Sequence, residues 1–153
     1  MNFVTPDQYS KSNLAHFHIN SRAANDFVSL HHSLNSEDKL LDFGCGTGET
    51  TVAMAHGILG GLGAPGEVVG VDISEEMISH CRARHLTPRT PALSFHQLDV
   101  TRPGSFISSN LRRFSCITSF SCLHWVSDIP AAISLFNKVC RIWQDQFSQR
   151  IVF

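Results

Sequence analysis

The stretch 39–55, "KLLDFGCGTGETTVAMA", constrains the chain more than any other. A short apolar run ends in three glycines at alternate positions, and a helix-forming segment follows at once. Apolar runs of this length bounded by glycine read as buried strands, and a strand-loop-helix unit opens a βαβ crossover. Gly44, Gly46 and Gly48 leave a backbone free of side chains, which suggests that something approaches it closely. Asp42, two residues before the first glycine, sets a carboxylate beside that place.

The alternation continues along the chain. Residues from about 7 to 33 read as helix, and "NSED" (35–38) closes that segment. Strands are expected over 39–43, 67–73, 93–100 and 114–120, with helices over 48–59, 74–86 and 129–147. Ser74 suits a helix N-cap, with Glu75 and Glu76 where the helix dipole favours acid. Strands separated by helix-length segments imply an α/β fold with a doubly wound, mostly parallel sheet. Ligands of such sheets bind beyond the carboxyl ends of the strands, and the glycine loop lies there.

The residues narrow the ligand. A phosphate-binding P-loop continues from its last glycine with Lys and then Ser or Thr, whereas Gly48 is followed by Glu49. The glycines follow G-x-G-x-G and not the dinucleotide pattern G-x-G-x-x-G. A carboxylate at Asp42 would repel a pyrophosphate and attract an ammonium group. S-adenosyl-L-methionine fits, because its methionyl amine is positive and it carries no phosphate. Asp72, at the end of the second strand, can accept the ribose hydroxyls. Ile73 and Met77 offer apolar faces to the adenine, and Asp99, with Val100 beside it at the end of the third strand, can accept from the exocyclic amine.

Composition excludes other classes. The formal net charge of −1 gives no basic field for nucleic acid. No apolar run reaches membrane-spanning length, and the opening "MNFVTPDQYSKSN" lacks a signal-peptide core. Five cysteines without C-x-x-C spacing read as reduced thiols, and a cytoplasmic location is expected. The nine histidines form no recognised ligand set, so no metal is expected.

"LLDFGCGTGETT", "VVGVDISEEMI", "FHQLDV" and "SFSCLHWV" resemble the signature segments of class I methyltransferases. More narrowly, they are similar to the arthropod juvenile hormone acid (farnesoic acid) O-methyltransferases, whose opening "QYSKSN" also resembles. The resemblance implies a Rossmann-like core in which Asp42, Gly44, Gly46, Asp72, Ile73 and Asp99 bind the cofactor. Trp125 would line the pocket of a small carboxylic acid, methylated in juvenile hormone biosynthesis. It implies an amino-terminal helical lid on the substrate side over 1–36, and a cofactor core over 37–153. His16 stands where the family has a glutamine that holds the substrate carboxylate. His124 could serve as a base for another acceptor, although a packed histidine is the plainer reading. A carboxylate is already ionised at neutral pH, so methyl transfer to it needs alignment and not a base.

The end of the chain departs from the family. "RIWQDQFSQRIVF" lacks the expected turn and fifth strand, so the carboxyl-terminal strands read as missing. On that reading only "RIVF" remains to pair, too short for a full strand, and the fourth strand lies at or near an uncovered edge, open to self-association. Ile133, Phe136 and Val139 would be exposed, and the chain could be a catalytically silent cofactor-binding or partner-binding remnant. A methyltransferase for another small acid is the remaining alternative.

Overall fold

A computed structural model describes residues 5–12, 18–20, 22–23, 34–57, 64–87, 92–141 and 151–152. The run "KLLDF" forms β1 (Lys39–Phe43), buried after its first residue. Leu40 joins one apolar cluster, and Leu41 and Phe43 join another. This is the alternation of a strand covered on both faces. With β2 (Glu67–Asp72), β3 (Leu93–Gln97), β4 (Cys116–Thr118) and β5 (Ile151–Val152), it forms a sheet of order β3-β2-β1-β4-β5. All neighbouring strands are parallel. The α/β class and the doubly wound arrangement read from the sequence are therefore those of the structure.

Among the described residues lie the helices α1 (Pro6–Ser12), α2 (Glu49–Ala55), α3 (Glu75–His85), the short α4 (Phe106–Ser109) and α5 (Ile129–Val139), and a 3₁₀ turn at Leu123–Trp125. Ala53, Met54 and Ala55 of α2 pack with Leu40 and Val68 on one face of the sheet. Ile78 and Cys81 of α3 pack with Cys45 and Phe95, and Val52 of α2 lies against them. On the other face α5 packs Ala132, Leu135, Phe136 and Val139 against Leu41, Phe43 and Ile117. Local chemistry sets the helix starts. Ser74 Oγ accepts from Met77 N at 3.3 Å and Asp128 Oδ1 from Ala131 N at 2.8 Å, each satisfying a donor of a first turn.

Three expectations change. The helix read to 147 ends at Val139, because Cys140 turns extended and bridges Phe114. Phe114 N donates to Val139 O and Arg141 N to Phe114 O, so strand-like pairing replaces another helical turn. Residues 142–150 lie outside the described residues. The third strand stops at Gln97, since Asp99 begins a turn with Thr101 and Arg102. The fourth strand is likewise confined to Cys116–Thr118.

The surroundings of the edge differ in part from expectation. β5 pairs with β4 through Ile117↔Ile151 and Thr118↔Val152, so among the described residues β4 lies one two-residue strand from the sheet's edge, near it as expected and not at it. Phe136 and Val139 are fully buried; of the three residues expected at the surface only Ile133 reaches it, 39% exposed. The α5 face finds its cover on β1 and β4. Of the helix read over about 7–33, α1 and the helical residues 18–20 and 22–23 are described, while His16 lies outside them. All five thiols are free. Among the described residues no helix is long and apolar enough to cross a membrane.

Phe136 tests this packing. Its ring meets Phe43 edge-on, with centroids 5.0 Å apart and planes at 81°. Phe136→Ala should lower the unfolding free energy by about 3–5 kcal/mol in urea denaturation, the range for deleting a buried Phe. A loss under about 1 kcal/mol would mean that α5 is not seated on the sheet.

Candidate functional site

The strand order reverses between β1 and β4, and open α/β sheets bind ligands at such a switch. Asp42 lies there. The register pairs it with Thr118 on β4, whose hydroxyl donates to Asp42 Oδ1 at 2.8 Å. Thr51 in α2 donates to Oδ2 at 2.6 Å. The residue is only 3% exposed. Burial pushes its carboxyl up to about 6, the hydroxyls of Thr51 and Thr118 oppose that rise, and Asp72 adds to it.

The three glycines serve three purposes. A Cβ on Gly44 would lie 2.0 Å from Cys122 Sγ, so this glycine makes room for a side chain of the same protein. A Cβ on Gly48 would meet Cys81, His85 and Phe95, and that residue N-caps α2 against the α3 side of the core. Only Gly46 would accept a Cβ without a clash, at van der Waals distance from the Tyr9 ring, 3.6 Å away. Its φ of +54° also suits glycine.

Two clefts meet at Gly44. The polar one is lined by Asp42, Gly46, Asn20, Thr50 and Ser121, together with Tyr9. The more apolar one is lined by Asp72, Ile73, Asp99, Val100, Cys122 and Trp125. Asp72 joins them, since its Oδ2 accepts from Gly46 N and its Oδ1 from Ser74 N, both at 2.9 Å. Asp99 stands two residues beyond β3, where Oδ1 accepts from Thr101 Oγ1 at 2.7 Å and Thr101 N at 2.8 Å. The Thr101 bonds hold its carboxyl below the usual range.

The remaining expected residues are distributed unevenly. Ile73 is 65% and Trp125 81% exposed at the rim of the apolar cleft. Met77 lies half-buried in the first turn of α3 and does not line either cleft. Gly48 lines neither. His124 is exposed, and its ring packs beside Trp125 with centroids 5.1 Å apart.

Tyr9, Asn20, Thr51, Thr118 and Cys122 also help form the site, and none was anticipated from sequence. A threonine within the apolar run "FSCITSF" was the one available signal. Burial, with the carboxylates of Asp72 and Asp42 behind it, raises the Cys122 thiol to about 11, so it is protonated at neutral pH.

No Lys or Arg among the described residues lines either cleft, whereas Asp42, Asp72 and Asp99 do. A parallel sheet with an acidic crevice at its switch point defines a Rossmann-like protein suited to a ligand with positive charge and no phosphate. Residues 40–143 match the methyltransferase domain family, and the chain belongs to that family. It is 31% identical over 133 residues to the juvenile hormone acid O-methyltransferase of Drosophila melanogaster, covering 84% of this chain and 42% of that protein. It is 33% identical over 101 residues to the Bombyx mori enzyme of the same name, covering 65% and 34%. The chain thus spans less than half the length of these curated relatives. Among solved structures, the Haemonchus contortus phosphoethanolamine N-methyltransferase 2 complex with S-adenosylhomocysteine superimposes with a TM-score of 0.62. That match has 16% identity and covers 92% of this chain and 28% of the other, so it shows the fold.

Asp42 sets a stability signature. Its carboxyl titrates near 6 when folded against an ordinary 3.8, so the native state binds more protons between those values. Stability from this group is greatest at low pH and falls by up to about 3 kcal/mol as pH rises through 6. Thermal unfolding of wild type and Asp42→Asn from pH 4 to 7.5 reads this directly. The wild type should lose stability relative to Asp42→Asn with rising pH; a pH-independent difference would contradict the burial of the charge.

Proposed function

We propose that this chain binds S-adenosylmethionine across the two adjoining clefts and directs its methyl group to the carboxylate of a small apolar acid of the farnesoic type. The observation that carries the reading is the pair of clefts meeting at Gly44, one polar with Asp42 and one more apolar with Asp72 and Asp99, lined by no basic side chain among the described residues. The cofactor has two unlike ends, an amino-acid tail with an ammonium group and an adenosine. The polar cleft with Asp42 suits the tail, and the apolar cleft suits the nucleoside.

The residues fit that molecule individually. Each Asp72 oxygen accepts one backbone N–H and retains a lone pair for a ribose hydroxyl. Ile73 and Val100 present apolar surface for a planar base, and Asp99 offers an acceptor to its exocyclic amine. Bound there, S-adenosylmethionine supplies an electrophilic methyl on a sulfonium. Asp42 and Asp72 hold negative charge near that cation, and the protonated Cys122 thiol is a poor competing nucleophile.

The acceptor side rests on Trp125 and on the similarity to juvenile hormone acid O-methyltransferases. A fatty carboxylic acid has a pKa of about 4–5, as Glu does, so it arrives ionised at neutral pH. Alignment then suffices, which suits a site whose rim offers an exposed indole beside His124.

Calorimetry and radiolabelled methyl transfer to a panel of acids test both halves. Asp72→Ala should weaken S-adenosylmethionine by about 1.5–3 kcal/mol, the range for hydrogen bonds to a charged group. Trp125→Ala should reduce turnover of farnesoic acid about tenfold or more while cofactor affinity changes less than about twofold, as expected of a contact made only to the acceptor. Failure of the wild type to bind S-adenosylmethionine would remove the proposal. Binding without transfer to any carboxylic acid would remove its second half.

A further inference from the structure

The matched methyltransferase region begins at residue 40, yet two residues of the polar cleft come from before it. Tyr9 in α1 is half-buried, and its ring stands over Gly46, the one glycine of the loop whose Cβ position meets no closer neighbour. Asn20 is buried, and its Nδ2 donates to Thr50 Oγ1 at 3.2 Å on the first turn of α2. Asp42 and Ser121 complete the same cleft from the core. α1 itself lies beside α3, with Asp7 Oδ1 4.0 Å from His80 Nδ1. Tyr9 and Asn20 thus wall the cleft together with the core residues.

We propose that Tyr9 and Asn20 are positioning residues for the amino-acid tail of the cofactor, so that two residues from before the matched family region take part in its recognition. The inference rests on the S-adenosylmethionine reading and adds to it the part of the ligand that these two residues select. Three features support it. The cleft is polar and small, which suits a zwitterionic tail more than a nucleoside. Tyr9 brings a π face to a place bordered by the Asp42 and Asp72 carboxylates, an environment that favours an ammonium group. Asn20 has a side-chain amide that can both donate and accept, matching a group with both charges.

The geometry also separates the two halves of the ligand. Tyr9 and Asn20 line only the polar cleft, while the apolar cleft is built from residues 43 to 127 of the core. Loss of the tail contacts should therefore spare recognition of the nucleoside.

The test compares three ligands by calorimetry on the full chain: S-adenosylmethionine, S-adenosylhomocysteine and methylthioadenosine, which lacks the amino-acid tail. Tyr9→Ala and Asn20→Ala should each weaken the first two by about 3–30-fold, the range of one cation–π or hydrogen-bond contact, and leave methylthioadenosine within about twofold. Tyr9→Phe, which keeps the ring, should stay near wild type for all three. Equal losses for all three ligands would reduce these residues to structural support and overturn the inference, as would unchanged binding of the tailed ligands. Failure of the wild type to bind any of the three would instead strike the cofactor reading itself. Unfolding midpoints of the variants separate a lost contact from a lost fold.

Discussion

The site depends on a carboxylate that is almost wholly buried at the wall of the polar cleft. Asp42 is fixed by a hydroxyl from the neighbouring strand and another from the helix that follows the glycine loop. The first bond joins elements far apart in sequence, β1 to β4, and the second joins β1 to the helix directly after it, at the point where the strand order reverses. Burying a charge is costly unless it is hydrogen-bonded, and two hydroxyls meet only part of that cost. The remainder appears as a carboxyl raised to about 6. A cationic ligand would supply what the protein withholds, so the strained charge and the open cleft are parts of one arrangement.

Around that charge, packing decides what the glycine loop offers. Gly44 and Gly48 are occupied from inside, by Cys122 and by the Cys81–His85–Phe95 side respectively. Their lack of side chains lets β4's loop and α3 close in, and this leaves Gly46 to face outward. Gly46 N is itself tied to Asp72, so the loop that follows β1 and the end of β2 are held in one piece. The apolar core under them, with α5 on one face and α2 and α3 on the other, keeps the strand ends in register.

Much of this was legible from residue types. The strand "KLLDF" carries its own bounds, and Ser74 marks a helix start through a local hydrogen bond to the first turn. What was not legible came from contacts distant in the chain. Nothing local stops a helix at Val139; the Phe114 backbone does, by pairing with Cys140. Ile151 and Val152 look too short to be a strand until β4 is there to receive them. Spacing placed Asp42, Asp72 and Asp99 near one edge correctly. It could not tell that Gly48 and Met77 line neither cleft, or that Tyr9 and Asn20 reach the polar one. Those facts depend on how helices are seated, which no periodicity encodes.

Proton release on ligand binding tests the central claim most directly. If a cation is recognised by the Asp42 carboxylate, binding S-adenosylmethionine near pH 6 must drive that group from its partly protonated state to its ionised one. Calorimetric titrations in buffers of different ionisation enthalpy would then report a fraction of a proton released per ligand, about one half where the carboxyl is half-titrated. Asp42→Asn should bind with that release abolished. Release of no proton by the wild type, or the same release in Asp42→Asn, would contradict the account and place the ligand's positive charge elsewhere.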